Sequence, residues 1–156
     1  MNLSTVLAKH FRAIHFGGNW TTSNLRDQLA NVSYKDATTE ISDCNTILAL
    51  TFHVSYYVTG VLDVFNNKPL EIRDKFSYDH PKITSESEWQ NMLERVWTNA
   101  EALAKHIEIL TEDQLWQNFT DPKYGSYYSN ITGIIEHTHY HLGQIAILKK
   151  LIKKDI

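Results

Sequence analysis

Apolar positions recur at steps of three and four along most of this chain, a period that belongs to helices rather than strands. Leu3, Val6, Leu7, His10, Phe11 and Ile14 form a first stripe, closed by Gly17 and Gly18. The following loop feeds a short helix from Asn24 to about Ala30, with Ser23 or Thr22 as its cap, and Ser33-Tyr34-Lys35-Asp36 reads as the start of one more helical turn. From about Cys44 to Phe65, the residues Ile47, Thr51, Val54, Val58, Val61 and Phe65 line one face, with Leu50, His53 and Tyr57 along its edge. The β-branched content would suit a strand, but the run is several times a common strand's length. Asn66-Asn67-Lys68-Pro69 ends this helix, and 76–82 reads as a loop. Ser85-x-x-Glu88 is a capping box, followed by a clean stripe of Trp89, Met92, Leu93, Val96, Ala100, Leu103, Ile107 and Leu110. After a short helix or turn over 111–118 and a turn over 121–126, the last helix begins near Tyr127 or Ser129. It carries Ile131, Ile134, Thr138, His141, Ile145, Leu148 and Ile152 on one face.

Four long amphipathic helices and little strand signal predict an all-α four-helix bundle with short connecting helices. A length of 156 residues fits one domain over 1–156, with a core that needs no disulfide or metal. A formal charge of -3 argues against a nucleic-acid surface, and Lys149, Lys150, Lys153 and Lys154 read as a solvated helix end. The single cysteine, Cys44, cannot form an internal bridge and reads as a buried thiol. No apolar run approaches the roughly 18 residues of a membrane span, and the N-terminus lacks a signal-peptide core. The stretch 1–16, with Lys9 and Arg12 and no acidic residue before Asp27, also fits an organellar presequence. Its regular apolar face favours a domain helix, and the cytoplasm is the expected compartment. The chain has no Gly-rich phosphate loop, no Gly-x-Ser-x-Gly elbow and no paired cysteines, so any chemistry rests on its histidines.

Three of the eight histidines, His137, His139 and His141, fall within five positions. On a strand all three would share a face. On a helix His137 and His141 pair, one turn and about 6 Å apart, while His139 points about 160° away. The flanking period selects the helix. Two imidazoles can reach one metal ion, but a tight site needs a third ligand. His53, mid-helix among apolar neighbours, supplies one if its helix adjoins the last. Three imidazoles with an open position make a catalytic zinc-type composition, equally suited to nickel, iron or copper. On the residues alone, ordinary packing accounts for the same histidines at least as well. His10 faces inward and Gln144 sits beside His137 on the helix wheel, so each is a candidate to hydrogen-bond a ligand. His106 lies off its stripe and reads as solvated, Glu136 and His139 face away, and no carboxylate stands out as a catalytic partner.

Asn45-Thr46-Ile47-Leu48-Ala49-Leu50-Thr51-Phe52-His53, followed by His137-x-x-x-His141-Leu142-Gly143-Gln144-Ile145, resembles the DinB-like (YfiT-like) superfamily. Gly18-Asn19-Trp20-Thr21 and Leu25-x-x-x-Leu29 resemble a branch with an Asn-Trp element after the first helix. The resemblance runs over essentially the whole chain. It implies a four-helix bundle, commonly homodimeric and cytosolic, holding one divalent metal ion, zinc or nickel, on His53, His137 and His141. It also implies a metal-dependent enzyme acting on a small molecule, a thiol S-transferase or a hydrolase, with a low-molecular-weight thiol as a candidate partner. Leu142 stands where the family usually carries a basic residue, which leaves the metal ligands intact and removes a substrate contact. Two alternatives stay open: a non-catalytic metal-binding stress or sensor protein, and a plain helical dimer with structural histidines.

Overall fold

A computed structural model describes residues 2–153. Among these residues there are seven α-helices and no strand: α1 (Leu3–Phe16), α2 (Leu25–Leu29), α3 (Tyr34–Thr38), α4 (Ile47–Phe65), α5 (Glu86–Glu108), α6 (Glu112–Trp116) and α7 (Tyr127–Ile152). The last lysine of the basic run, Lys154, lies outside the described residues. The chain is all-helical, as the period of its apolar positions predicts.

Local chemistry sets the helix starts. Ser85 Oγ accepts from the Glu88 amide while the Glu88 carboxylate accepts from the Ser85 amide, the reciprocal box read from the sequence. Ser33 and Asp36 do the same for α3. Two starts differ from expectation. Asn24, not Ser23 or Thr22, caps α2, its Oδ1 accepting from the Asp27 amide at 3.0 Å. Thr46 caps α4, so Cys44 falls in the preceding turn, where its amide donates to the Ile41 carbonyl; it is exposed rather than buried.

α1 packs on α5 and α7, and α4 packs on the same two helices. The core falls into two apolar clusters. One joins Ile14, Ile47, Val54, Trp89, Leu142 and Ile145; the other joins Leu7, Phe11, Val58, Leu103, Ile131 and Ile134. Chain order through these clusters shows that α1 and α7 run one way while α4 and α5 run the other. The parallel neighbours α4 and α5 therefore need a crossover, and residues 66–85 provide it. This segment retraces α4: Ile72 lies over Gly60, the Arg73 amide donates to the Tyr56 hydroxyl, and His80 lies edge-on to Phe52.

α1 is rotated from its expected face. Squeezed between α5 and α7, it buries Ser4, Leu7, Ala8, Phe11, Ile14 and His15, whose small Ser4 and Ala8 allow close approach. Val6 and His10 are exposed, so His10 does not face inward. His15 is the core histidine of this helix. The expectation for Lys149 also changes: its Nζ donates to the carbonyls of Gln28 (2.6 Å) and Asp27 (3.3 Å), satisfying orphan acceptors at the end of α2. His106 is half-buried against Phe65 rather than solvated. By length and composition α4 is long and apolar enough to cross a membrane, which the reading of apolar runs does not anticipate. Of that stretch, 61% is buried inside the fold, as its place between two neighbours requires.

Gly60 is where the crossover touches α4 most closely. A Cβ there would collide with the Ile72 side chain. Gly60→Ala is expected to push Ile72 and its segment off α4 and to cost about 1–2 kcal/mol despite the better helix propensity of alanine. Urea unfolding of the two proteins measures this; an unchanged or higher midpoint would show that Ile72 moves freely.

Candidate metal centre

The two apolar clusters separate at one level of the fold, and the histidines occupy that level. On α4 the break lies between Val54 and Val58, and on α7 between Ile135 and Leu142. His53 lies one residue before the first break, and His137 and His141 lie within the second, on helices that pack against each other. His53 and His141 are buried and His137 is half-buried.

Their nitrogens converge. Nε2 of His137 lies 3.0 Å from Nε2 of His53 and 3.1 Å from Nε2 of His141, and the three ligand atoms all lie within 4.8 Å of one another. Ligand nitrogens 2.0–2.1 Å from a tetrahedral zinc stand roughly 3.3 Å from each other, so the spacing fits an ion of that size. The far sides of two of the rings strengthen the fit. His53 Nδ1 meets the Ser77 carbonyl at 3.3 Å, and His141 Nδ1 meets Gln144 Oε1 at 2.6 Å. Both partners accept only, so both Nδ1 atoms carry the hydrogen and both Nε2 atoms present bare lone pairs. His137 has one ring proton between them and can satisfy one contact at most. A cation at the shared point satisfies all three.

The rings are held neutral, as ligands must be. Burial and the neighbouring His141 and His53 lower the pKa of His137 to about 4. Burial and His141 lower that of His53, partly offset by the Ser77 carbonyl and Asp74. Burial lowers that of His141, opposed by its bond to Gln144.

The structure thus brings His53, His137 and His141 together, while Gln144, expected beside His137, bonds His141 instead. His10 is elsewhere: it faces His139 across α1 and α7, ring centroids 6.0 Å apart, and supports no ligand. His139 turns away from the three, its Nδ1 against the Ile135 carbonyl. The crossover brings residues that no period marks. Tyr78 stacks on His53 with ring centroids 4.0 Å apart. Asp74 Oδ1 accepts at 2.8 Å from the hydroxyl of Tyr57, which α4 itself sets edge-on to His137. A carboxylate thus does stand near the histidines, contrary to expectation. The one sequence signal was the length of the segment between α4 and α5, long for a plain connection.

No family model matches the chain, and no curated protein or solved structure does either.

A cavity of about 370 Å³ opens beside His137, lined by Tyr57, Asp74, Phe119, Tyr124, Asn130 and Ile134 among others. That volume suits a small organic molecule. Gln144→Leu, which removes the acceptor that orients His141, is expected to weaken zinc binding about tenfold with little change in unfolding midpoint of the metal-free protein. Competition with a chromophoric chelator gives the affinity; an unchanged value would mean that packing alone orients His141.

Proposed function

We propose that this protein is a divalent-metal-dependent enzyme of the DinB-like four-helix-bundle type, acting on a small molecule at His53, His137 and His141. The observation that carries the reading is the convergence of three Nε2 atoms beside a cavity of substrate size. Four long helices, α4 and α7 facing each other through the histidines, support the bundle assignment. Exposed Tyr140, Ile147 and Leu151 on the outer side of α7 suit the homodimer that belongs to the same reading.

An ion held there, zinc or nickel, would supply Lewis acidity toward a thiol, a water or a carbonyl. The protein's part is to hold the three imidazoles neutral and aimed. Ser77 and Gln144 fix the ring orientations, and Tyr78 covers one face of His53. In a thiol transfer, the sulfur forms a bond to the electrophilic carbon, the leaving group departs with its electron pair, and the thiol proton passes to solvent. In a hydrolysis, a water oxygen takes the place of the sulfur.

A second reading, metal binding without turnover, draws on Leu142. It is 3% exposed within the apolar core, so that position brings no basic side chain to the cavity. The two readings separate in one experiment. Protein purified without a histidine tag is assayed for bound metal by elemental mass spectrometry, then for thiol consumption with electrophilic substrates and for ester hydrolysis. About one ion per chain with metal-dependent turnover supports the enzyme. One ion with no rate above the metal-free protein supports the binding protein, and no ion under any loading condition defeats both.

A further inference from the structure

A second pair of histidines meets away from the buried three. His10 on α1 and His139 on α7 project from neighbouring helices, with ring centroids 6.0 Å apart and planes tilted by 58°. His10 is exposed and His139 is half-buried. The Nδ1 of His139 lies 3.2 Å from the Ile135 carbonyl, which accepts only, so Nδ1 carries the hydrogen and Nε2 presents a bare lone pair. Neither ring belongs to the set of His53, His137 and His141.

Their spacing suits two ligands on one ion. Imidazole nitrogens about 2.0–2.1 Å from a metal ion set their ring centroids about 4.5 Å apart when they bind at a right angle and about 6.4 Å apart when they bind from opposite sides. The observed 6.0 Å falls inside that range. Among the buried three the centroids lie 4.5–4.9 Å apart and the planes are tilted by 50–80°. The surface pair has a similar tilt and about 1 Å more room, which an exposed His10 side chain can close by turning about its own bonds.

We propose that His10 and His139 form a second, solvent-open metal site that takes a first-row divalent ion, copper(II) ahead of nickel(II) or zinc. Imidazole selects these ions over magnesium and calcium, which take oxygen ligands, and copper(II) binds a given nitrogen site most tightly of the three. Two protein ligands leave the remaining positions to water. The ion therefore binds more weakly than at a three-histidine centre and exchanges readily. While bound, it ties α1 to α7.

The two sites share no ligand, so the proposal stands or falls apart from the reading of the buried three. Copper(II) is titrated into zinc-loaded native protein, His10→Ala and His139→Gln by equilibrium dialysis, with both metals counted by elemental mass spectrometry and the copper followed by electron paramagnetic resonance. The native protein is expected to bind one copper ion per chain more than either variant at the same free concentration. Affinity for that ion should fall at least about tenfold in each, with the zinc content unchanged. Its spectrum should show two coupled nitrogens in the native protein and fewer in the variants. His10 is exposed, so its replacement leaves the core intact and decides the matter even if the half-buried His139 proves needed for folding. Copper binding by His10→Ala equal to that of the native protein would overturn the proposal, as would copper that enters the native protein only by releasing an equal amount of zinc. If the native protein takes up no zinc, the same comparison with His10→Ala still decides the surface site, while the reading of the buried three fails by itself.

Discussion

Alanine at His137 or at His141 is expected to lower zinc affinity by more than about a hundredfold while the helical signal persists. Groups that merely orient a ligand are worth roughly ten- to a hundredfold, and these substitutions remove a ligand itself. His137 is the sharper test because its Nε2 touches both of the others. In the metal-free protein its removal relieves an arrangement in which at least one imidazole contact lacks a proton. The metal-free variant should then unfold at a urea concentration no lower than the metal-free native protein. Zinc should separate the two: at a free concentration a hundred times its dissociation constant it stabilises the native protein by about 2.7 kcal/mol and the variant by almost nothing. Urea unfolding with and without zinc, followed by circular dichroism, measures both effects. Equal stabilisation of the variant by zinc would mean that the ion binds elsewhere.

The core of this prediction was legible in the chain. Spacing four along a helix puts His137 and His141 on one face whatever the rest of the fold does, and the apolar period around them selects the helix. The partnership with His53 needed a further assumption, that α4 adjoins α7, which no local pattern contains. What the chain concealed falls into two kinds. Helix rotation was the first: the apolar stripe of α1 reads with His10 inward, but α5 and α7 bury the arc through Ser4, Ala8 and His15. The second was the path of the crossover. Residues 66–85 show no period, so nothing marked Asp74, Ser77 and Tyr78 as neighbours of His53 and His137. Their placement follows from parallel α4 and α5, since the chain must return along α4 before α5 can begin. Cys44 was misplaced for a simpler reason, the start of α4 at Thr46, where the hydroxyl caps the Ala49 amide and leaves the preceding turn in solvent.

His15 carries the largest expected effect on stability. Its Nδ1 donates to the Phe11 carbonyl at 2.9 Å, which leaves Nε2 a bare acceptor, and that atom is buried with no partner. The ring lies against Phe11 and Phe16, with centroids at 4.4 and 5.9 Å, and is 0% exposed. Burial, with a smaller contribution from His139, lowers its pKa from 6.5 to about 4, the Phe11 carbonyl opposing. Between those two values the unfolded chain binds a proton that the folded one does not, so stability falls as pH falls. The contribution is whole above about pH 6.5 and gone below about pH 4. The loss across that window is about 3 kcal/mol, at 1.36 kcal/mol per pH unit. His15→Leu removes the group and fills its place with apolar volume. The variant should match the native protein within about 1 kcal/mol at pH 7.5 and exceed it by roughly 2–3 kcal/mol near pH 4.5. His53, His137 and His141 titrate in both metal-free proteins, so their share cancels in the difference. Parallel stability profiles for the two proteins would show that water reaches His15 and that its charge costs the fold nothing.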